Sequence, residues 1–176
     1  MKFYALDVET ANPDQSTICQ IGIGIFEDGV LVDTWKSYID PLDYFHWRFI
    51  DIHGITPKMV MGKPTFPKVY PVLRKMFEGQ IVVHHSPFDR NAFNKAYDRH
   101  GLEPFEVKWL DSVRVARKAF GDGRLEGGYN LANLAAYLDI EFQHHDALED
   151  AIACGKIVAK ACQRNRIQIH EWFLDA

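Results

Sequence analysis

An α/β fold with a central mixed five-stranded sheet, three antiparallel strands then parallel ones, flanked by helices is what this sequence predicts. Three observations carry that prediction. The chain opens with three strand-like segments joined by short links, which reads as an antiparallel meander. From Phe66 onward, stretches with helical spacing alternate with short apolar strands, which reads as parallel pairing through helical crossovers. The length, 176 residues, suits one domain with a sizeable core.

The elements follow in order. Phe3 to Val8 is a short apolar run of β-formers. Ile18 to Phe26 alternates Ile21, Ile23 and Ile25 with Gly22 and Gly24, a strand crowded on its glycine face. Glu27-Asp28-Gly29 signals a turn, and Val30 to Ile39 is the third strand. An aromatic-rich loop is expected from Pro41 to about Ile55, then a short helix opened by Thr56-Pro57. Phe66 to Phe77 places Val69, Val72, Leu73, Met76 and Phe77 at helical spacing. Gln80 to His84 is a buried-type strand, Pro87 to His100 a helix ending at Gly101, and Val107 to Leu110 a short strand. Helices over Asp111 to Phe120 and Asn130 to Leu138 each open on a capping residue, and Ala147 to Gln163 is the last long helix. Residues 1–163 are expected to form the domain and 164–176 a C-terminal tail or linker. The aromatic pair in that tail, Trp172-Phe173, either docks a partner or packs as the chain's end.

Apolar residues make up 47% and charged residues 25%, the balance of a globular, water-soluble chain. Cys19, Cys154 and Cys162 are odd in number and lack metal-ligand spacing, so they read as reduced, buried thiols of a cytoplasmic protein. Asp7 and Glu9 interrupt the N-terminal apolar run, and no run approaches the ~20 residues of a membrane span. The reading is therefore no export signal and no membrane partner.

Four acids in three separated places carry the chemistry. Asp7 and Glu9, two apart on a strand, point to one face. The bland reading is an exposed edge strand with solvated acids. In a strand this apolar, the sharper reading is a pair of divalent-metal ligands supplied with countercharge by the metal. Asp89 follows S-P-F at the start of a helix, where a capping role with Ser86 as the cap is a complete structural explanation. Its place just past a buried strand is also where sheet enzymes carry ligands. His145 and Asp150 flank a helix start. Asp146 can cap it, with Glu149 closing a capping box, which makes His145 the residue before the cap and Asp150 the fourth helical residue. Side chains at those positions touch, so a metal ligand and a titratable base can be held together by helix-start geometry. The bland alternative for His145 is a surface histidine.

The net charge of −4, from 20 basic and 24 acidic residues, argues against a protein that grips long duplex through a basic face. It suits an enzyme that holds a few nucleotides through metal ions, because two divalent cations would neutralise four carboxylates.

Taken together, D-V-E-T from Asp7, H-H-S-P-F-D from His84 and H-D-A-L-E-D-A from His145, with H-G-I-T from His53 between them, resemble the DnaQ-like 3′–5′ exonucleases. The closer likeness is to the DEDDh subgroup, which has a catalytic histidine and includes bacterial proofreading subunits. The resemblance covers about residues 2 to 163. It implies a ribonuclease H-like fold, with Asp7, Glu9, Asp89 and Asp150 ligating two Mg²⁺ ions (Mn²⁺ able to substitute) and His145 as general base. It places Thr10 and Ala11 near the terminal nucleotide and Ile55 against its base. The implied reaction takes the 3′ end of single-stranded DNA, or a frayed end, to nucleoside 5′-monophosphates. One metal would lower the pKa of a water whose proton His145 takes, and the second would stabilise the departing 3′ oxygen. The implied setting is proofreading or repair beside a DNA polymerase or another replication or repair protein.

The chain departs from the family pattern where Ala11 stands for the common Gly, His85 for the common Asn, and Pro87 enters the loop before Asp89. Three other readings stay open. One is an exoribonuclease of the same fold. Another is a zinc or manganese phosphohydrolase using His84, His85, His144 and His145 with Asp89 and Asp150. The third is a catalytically silent nucleic-acid-binding or polymerase-docking module.

Overall fold

The computed structural model describes residues 1–121, 125 and 127–174. Strands β1 (Lys2–Thr10), β2 (Ile18–Glu27) and β3 (Val30–Tyr38) form the expected antiparallel meander. The β2–β3 link is a tight turn with Asp28 and Gly29 both at positive φ (51° and 80°), the backbone a two-residue hairpin requires. β4 (Ile81–His84) adds in parallel to β1, and β5 (Lys108–Asp111) in parallel to β4, giving the order β3-β2-β1-β4-β5. The sheet is thus mixed, five-stranded and covered by helices on both faces.

The helices are α1 (Trp47–His53), α2 (Pro57–Val60), α3 (Phe66–Phe77), α4 (Phe88–His100), α5 (Ser112–Phe120), α6 (Leu131–Tyr137) and α7 (Ala147–Asn165). Asp111, Asn130 and Asp146 cap α5, α6 and α7 through their side chains, and Gly101 ends α4 in the left-handed conformation. α1 lies inside the segment expected to be loop. It buries none of its residues, so no apolar face marks it in the sequence. The available signal was Gly54, which ends α1 at φ 73°. Ser86 does not cap α4. It sits at φ 74°, and Pro87 holds the cap position without a side-chain bond.

Alternation along β1 splits the molecule into two cores. Tyr4, Leu6 and Val8 pack with Ile21, Ile23, Leu73 and Phe93 on the α3–α4 face. Phe3 and Ala5 pack with Phe26, Val115, Leu134 and Ile157 on the α5–α6–α7 face. Asp7 and Glu9 continue this second face, beneath the start of α7.

Gly22 explains how α7 comes so close. It pairs with Asp7 across β1 and β2, and a Cβ there would collide with the backbone of Ala147 and Leu148. On the same face Gln20 accepts the Ala147 N–H at 2.9 Å. The glycine face of β2 is therefore the seat on which the first turn of α7 rests. Gly22→Ala is expected to destabilise the protein by about 3 kcal/mol, because the clash is with backbone that cannot rotate away. A melting curve that matches wild type would contradict this packing.

Cys19 and Cys154 are buried and Cys162 half-buried, all as free thiols. Past α7 the chain makes a 3-10 helix over Ile169–Phe173, with Ile169 buried and Trp172 and Phe173 packed against the α7 core. Both rings of the aromatic pair are half-buried. Of the tail residues, 175 and 176 lie outside the described residues.

Candidate active site

Three elements deliver the acids to one place. Asp7 and Glu9 come from the end of β1, Asp89 from the first turn of α4 just past β4, and Asp150 from the first turn of α7. Ligand oxygens of Asp7, Glu9 and Asp150 all lie within 4.8 Å of one another. Asp89 sits beside them, buried, with one carboxylate oxygen accepting the Val8 N–H at 3.0 Å. That bond pins α4 to β1 and leaves the other oxygen for the cluster.

The electrostatics are costly without a cation. Burial, then repulsion from Asp89, Asp150 and Glu9, pushes the Asp7 carboxyl well above the usual carboxylate range. Burial and then Asp150 raise Glu9 to about 8. Asp89 rises to about 8, again mainly by burial, against the lowering effect of its backbone bonds. Asp150 is raised by burial and partly relieved by His144. Among the described residues no lysine or arginine pairs with any of the four. Lys36 pairs instead with Asp146, the α7 cap. An all-oxygen donor set, with Asp89 and Asp150 buried and Asp7 and Glu9 half-buried, that has no lysine or arginine partner among the described residues fits hard divalent ions such as Mg²⁺ or Mn²⁺.

His145 stands at the rim at φ 67°, and its backbone N–H donates to Asp150 Oδ2 at 3.0 Å. The side-chain contact expected of His145 is made by its neighbour, with His144 Nδ1 2.8 Å from Asp150 Oδ1. The two rings stack at 4.0 Å. The left-handed turn at His145 lets adjacent residues serve one carboxylate, so Asp150 is held at both oxygens. The sequence names His144 only as a ligand in the phosphohydrolase reading; its place as the hydrogen-bond partner of Asp150 was signalled by the doubled histidine before a capping Asp. Burial, then His144, lowers the His145 pKa, while Asp150 raises it, so the balance favours the neutral ring.

The residues expected around the nucleotide also converge, but by backbone. Thr10, Ala11 and Ile55 are buried, and Ala11 and Ile55 pack with Cys19 and Val60. His53 ties them together. Its Nε2 lies 3.1 Å from the Thr10 carbonyl, and its Nδ1 accepts the Ile55 N–H at 3.0 Å. Since Nδ1 accepts, the ring proton resides on Nε2 and is donated to Thr10, and burial lowers the His53 pKa and favours this neutral form. The H-G-I-T segment is thus a clasp across the end of β1.

His84 and His85 do not join a metal-type cluster. The His84 ring contacts the Ser86 carbonyl, and His85 Nδ1 lies 2.8 Å from Ser112 Oγ. The groups with ligand atoms gathered closely enough, among the described residues, are Asp7–Glu9–Asp150 and His144–His145–Asp150. The histidine-rich phosphohydrolase reading loses two of its ligands.

An exonuclease family model (RNase_T) matches residues 4–158. The PolC-type DNA polymerase III of Oceanobacillus iheyensis is 30% identical over 166 residues, covering 92% of this chain and 11% of that protein. Its counterpart in Pediococcus pentosaceus is 27% identical over 182 residues, 99% of this chain and 12% of that protein. The chain therefore spans only about a tenth of these relatives' length. Among solved structures, the nuclease domain of 3′hExo, a DEDDh family member bound to rAMP, superposes with a TM-score of 0.77 at 16% identity, covering 92% of each chain. Escherichia coli exonuclease I in complex with a dA16 oligonucleotide gives 0.79 at 19% identity, over 94% of this chain and 41% of that one. Exonuclease X in complex with 5′ overhanging duplex DNA gives 0.72 at 21%, over 96% and 95%. The sheet order and helix placement are those of the ribonuclease H-like fold. With the family model spanning β1 to α7, the chain belongs to the RNase_T exonuclease family.

Proposed function

We propose that this protein is a Mg²⁺-dependent 3′–5′ exonuclease that removes nucleoside 5′-monophosphates from single-stranded DNA ends. The observation that carries the reading is the gathering of Asp7, Glu9 and Asp150 oxygens within 4.8 Å beside buried Asp89, with no lysine or arginine among the described residues paired to them. Asp7, Glu9, Asp89 and Asp150 would hold two Mg²⁺ ions, for which Mn²⁺ can substitute. When bound, the ions supply an acidified water and charge stabilisation at the phosphate and the departing oxygen. The chain's own work is positioning and proton transfer. Val8 fixes Asp89, and His144 with the His145 amide fixes Asp150. His145, its neutral ring favoured and partly open to solvent, takes the proton of the attacking water at its ring nitrogen. Thr10, Ala11 and Ile55, clasped by His53, would form the floor for the terminal nucleotide.

DNA is favoured because the PolC-type relatives are polymerases of DNA, which also suggests work beside a polymerase or another replication or repair protein in the cytoplasm. No helix among the described residues is long and apolar enough to cross a membrane. An exoribonuclease is the second reading, because a neighbour of the same fold was solved with rAMP.

The test uses 5′-labelled DNA and RNA oligomers of one sequence, incubated with Mg²⁺ beside Asp7→Ala. The expected result is a ladder shortening from the 3′ end of the DNA, absent with the variant or with EDTA. Preferential loss of RNA would move the role to RNA processing. No cleavage of either with Mg²⁺ or Mn²⁺ would defeat the catalytic reading and favour the silent binding module.

A further inference from the structure

We infer that α1 and the residues just before it form an aromatic platform on which upstream bases of the single-stranded substrate stack, with Trp47 at its centre. The inference rests on the nuclease reading and extends it to the strand behind the scissile bond. α1 has the sequence W-R-F-I-D-I-H, with four apolar residues in seven, yet none is buried. Trp47 is 61% exposed, Tyr44 62% and Ile52 52%. A seven-residue helix is too short to be stable alone and normally survives by burying an apolar face. This one is held by its ends. The His46 N–H donates to the Ala11 carbonyl at 2.9 Å, and the His53 ring meets the Thr10 carbonyl at 3.1 Å. Just upstream, Asn12 donates to the Tyr44 carbonyl at 2.9 Å. All three anchors lie one to three residues beyond Glu9, so the helix is tied to the chain just past the carboxylate cluster, with Trp47 and Ile52 exposed and Phe49 and Ile50 half-buried.

The occupant follows from chemistry and position. An exposed aromatic side chain held between a neighbouring ring and a cation, with further exposed apolar residues in the same short segment, marks a binding site. Its continuity with the proposed nucleotide floor makes the substrate's own upstream nucleotides its natural ligand. The Trp47 ring is stacked with His46 at 5.8 Å, and the Arg48 guanidinium lies 5.2 Å from its centroid. Exposed rings interleaved with a cation are what single strands use, because every base has a face to stack and every linkage a phosphate to neutralise. The arrangement also suits a net acidic protein, since stacking needs no basic face.

The experiment compares wild type, Trp47→Ala and Trp47→Tyr on two substrates. One is a single-stranded DNA oligomer of about 12 nucleotides, the other the p-nitrophenyl ester of thymidine 5′-monophosphate, which has no upstream strand. Binding of the oligomer is also read by fluorescence anisotropy in Ca²⁺. Trp47→Ala is expected to raise the oligomer KM and Kd about tenfold, the scale of one lost base–aromatic stack. Hydrolysis of the ester should be unchanged, and Trp47→Tyr should retain most of the oligomer affinity. Equal losses on both substrates would mean a structural role and overturn the platform. So would unchanged oligomer kinetics, including the case where Trp47→Ala instead lowers the mass seen by light scattering, which would make the face a contact between copies. If wild type hydrolyses neither substrate, it is the nuclease reading that fails, and the platform falls with it.

Discussion

Asp7→Asn is expected to abolish hydrolysis and, measured at about pH 8 without metal, to raise the melting temperature. The two effects have one cause. Asp7 faces Asp89, Asp150 and Glu9 in a largely buried cluster open at Asp7 and Glu9, and its carboxyl is held well above the usual range first by burial and then by those neighbours. At pH 8 an unfolded chain has long since released that proton. The folded state must either keep it or pay Coulomb repulsion in a poorly solvated site. An amide of the same shape removes the penalty, and each 1 kcal/mol recovered raises the melting temperature by about 2–4 °C in a chain of this size. The same change removes an anionic ligand, and with it stabilisation of several kcal/mol in the transition state, so activity should fall by at least about 10³-fold. A structural acid would show the reverse, with activity kept and stability lost. If Asp7→Asn melts lower than wild type in EDTA, the cluster is not the strained anionic site described above.

How much of this was legible in the sequence depends on the range of the interaction that fixes each part. Asp7 and Glu9 could be assigned to one face from the two-residue strand period alone. Asp150 could be placed from Asp146, because a cap fixes the residues on either side of it. Gly22 and Gly24 announced a close neighbour but could not name it. That the neighbour is the first turn of α7 depends on contacts more than 100 residues apart, and the sheet order β3-β2-β1-β4-β5 is equally non-local. α1 was illegible because it has no buried stripe, and its caps, the His46 ring and Gly54, are signals that do not announce a helix without one. The pairing of His144 with Asp150 escaped because it needs a left-handed residue at His145, which no histidine signals in advance. The packing of the tail was ambiguous because it rests on a single buried Ile169 and on the Trp172 indole, which donates to Cys162 Sγ at 3.3 Å.

In EDTA the protein is expected to lose stability between about pH 6.5 and about pH 8, and Mg²⁺ is expected to restore most of the loss. Glu9 and Asp89 have folded-state pKa values near 8, and Asp7 is also raised, while the unfolded values lie near 4. Within that span the folded state binds protons that the unfolded chain has released. Stability therefore falls as pH rises, by up to about 1.4 kcal/mol per pH unit for each such group. The histidines act in the opposite sense. His53, His84, His85 and His145 are all depressed by burial, so they add stability as pH rises toward about 6.5 and mask the carboxylates below it. The buried thiols of Cys19, Cys154 and Cys162 are raised, so they begin to destabilise only above their unfolded values of about 8.5. The carboxylates are thus exposed to measurement in a window bounded by histidine on one side and cysteine on the other. Across it the melting temperature in EDTA should drop by roughly 5 °C or more. Mg²⁺ competes with the bound protons for the same oxygens, so its stabilising effect should be small at pH 6.5 and large at pH 8. A Mg²⁺ shift of equal size at both pH values would mean that the ion binds elsewhere, and a flat profile in EDTA would mean that the carboxylates are not held protonated in the fold.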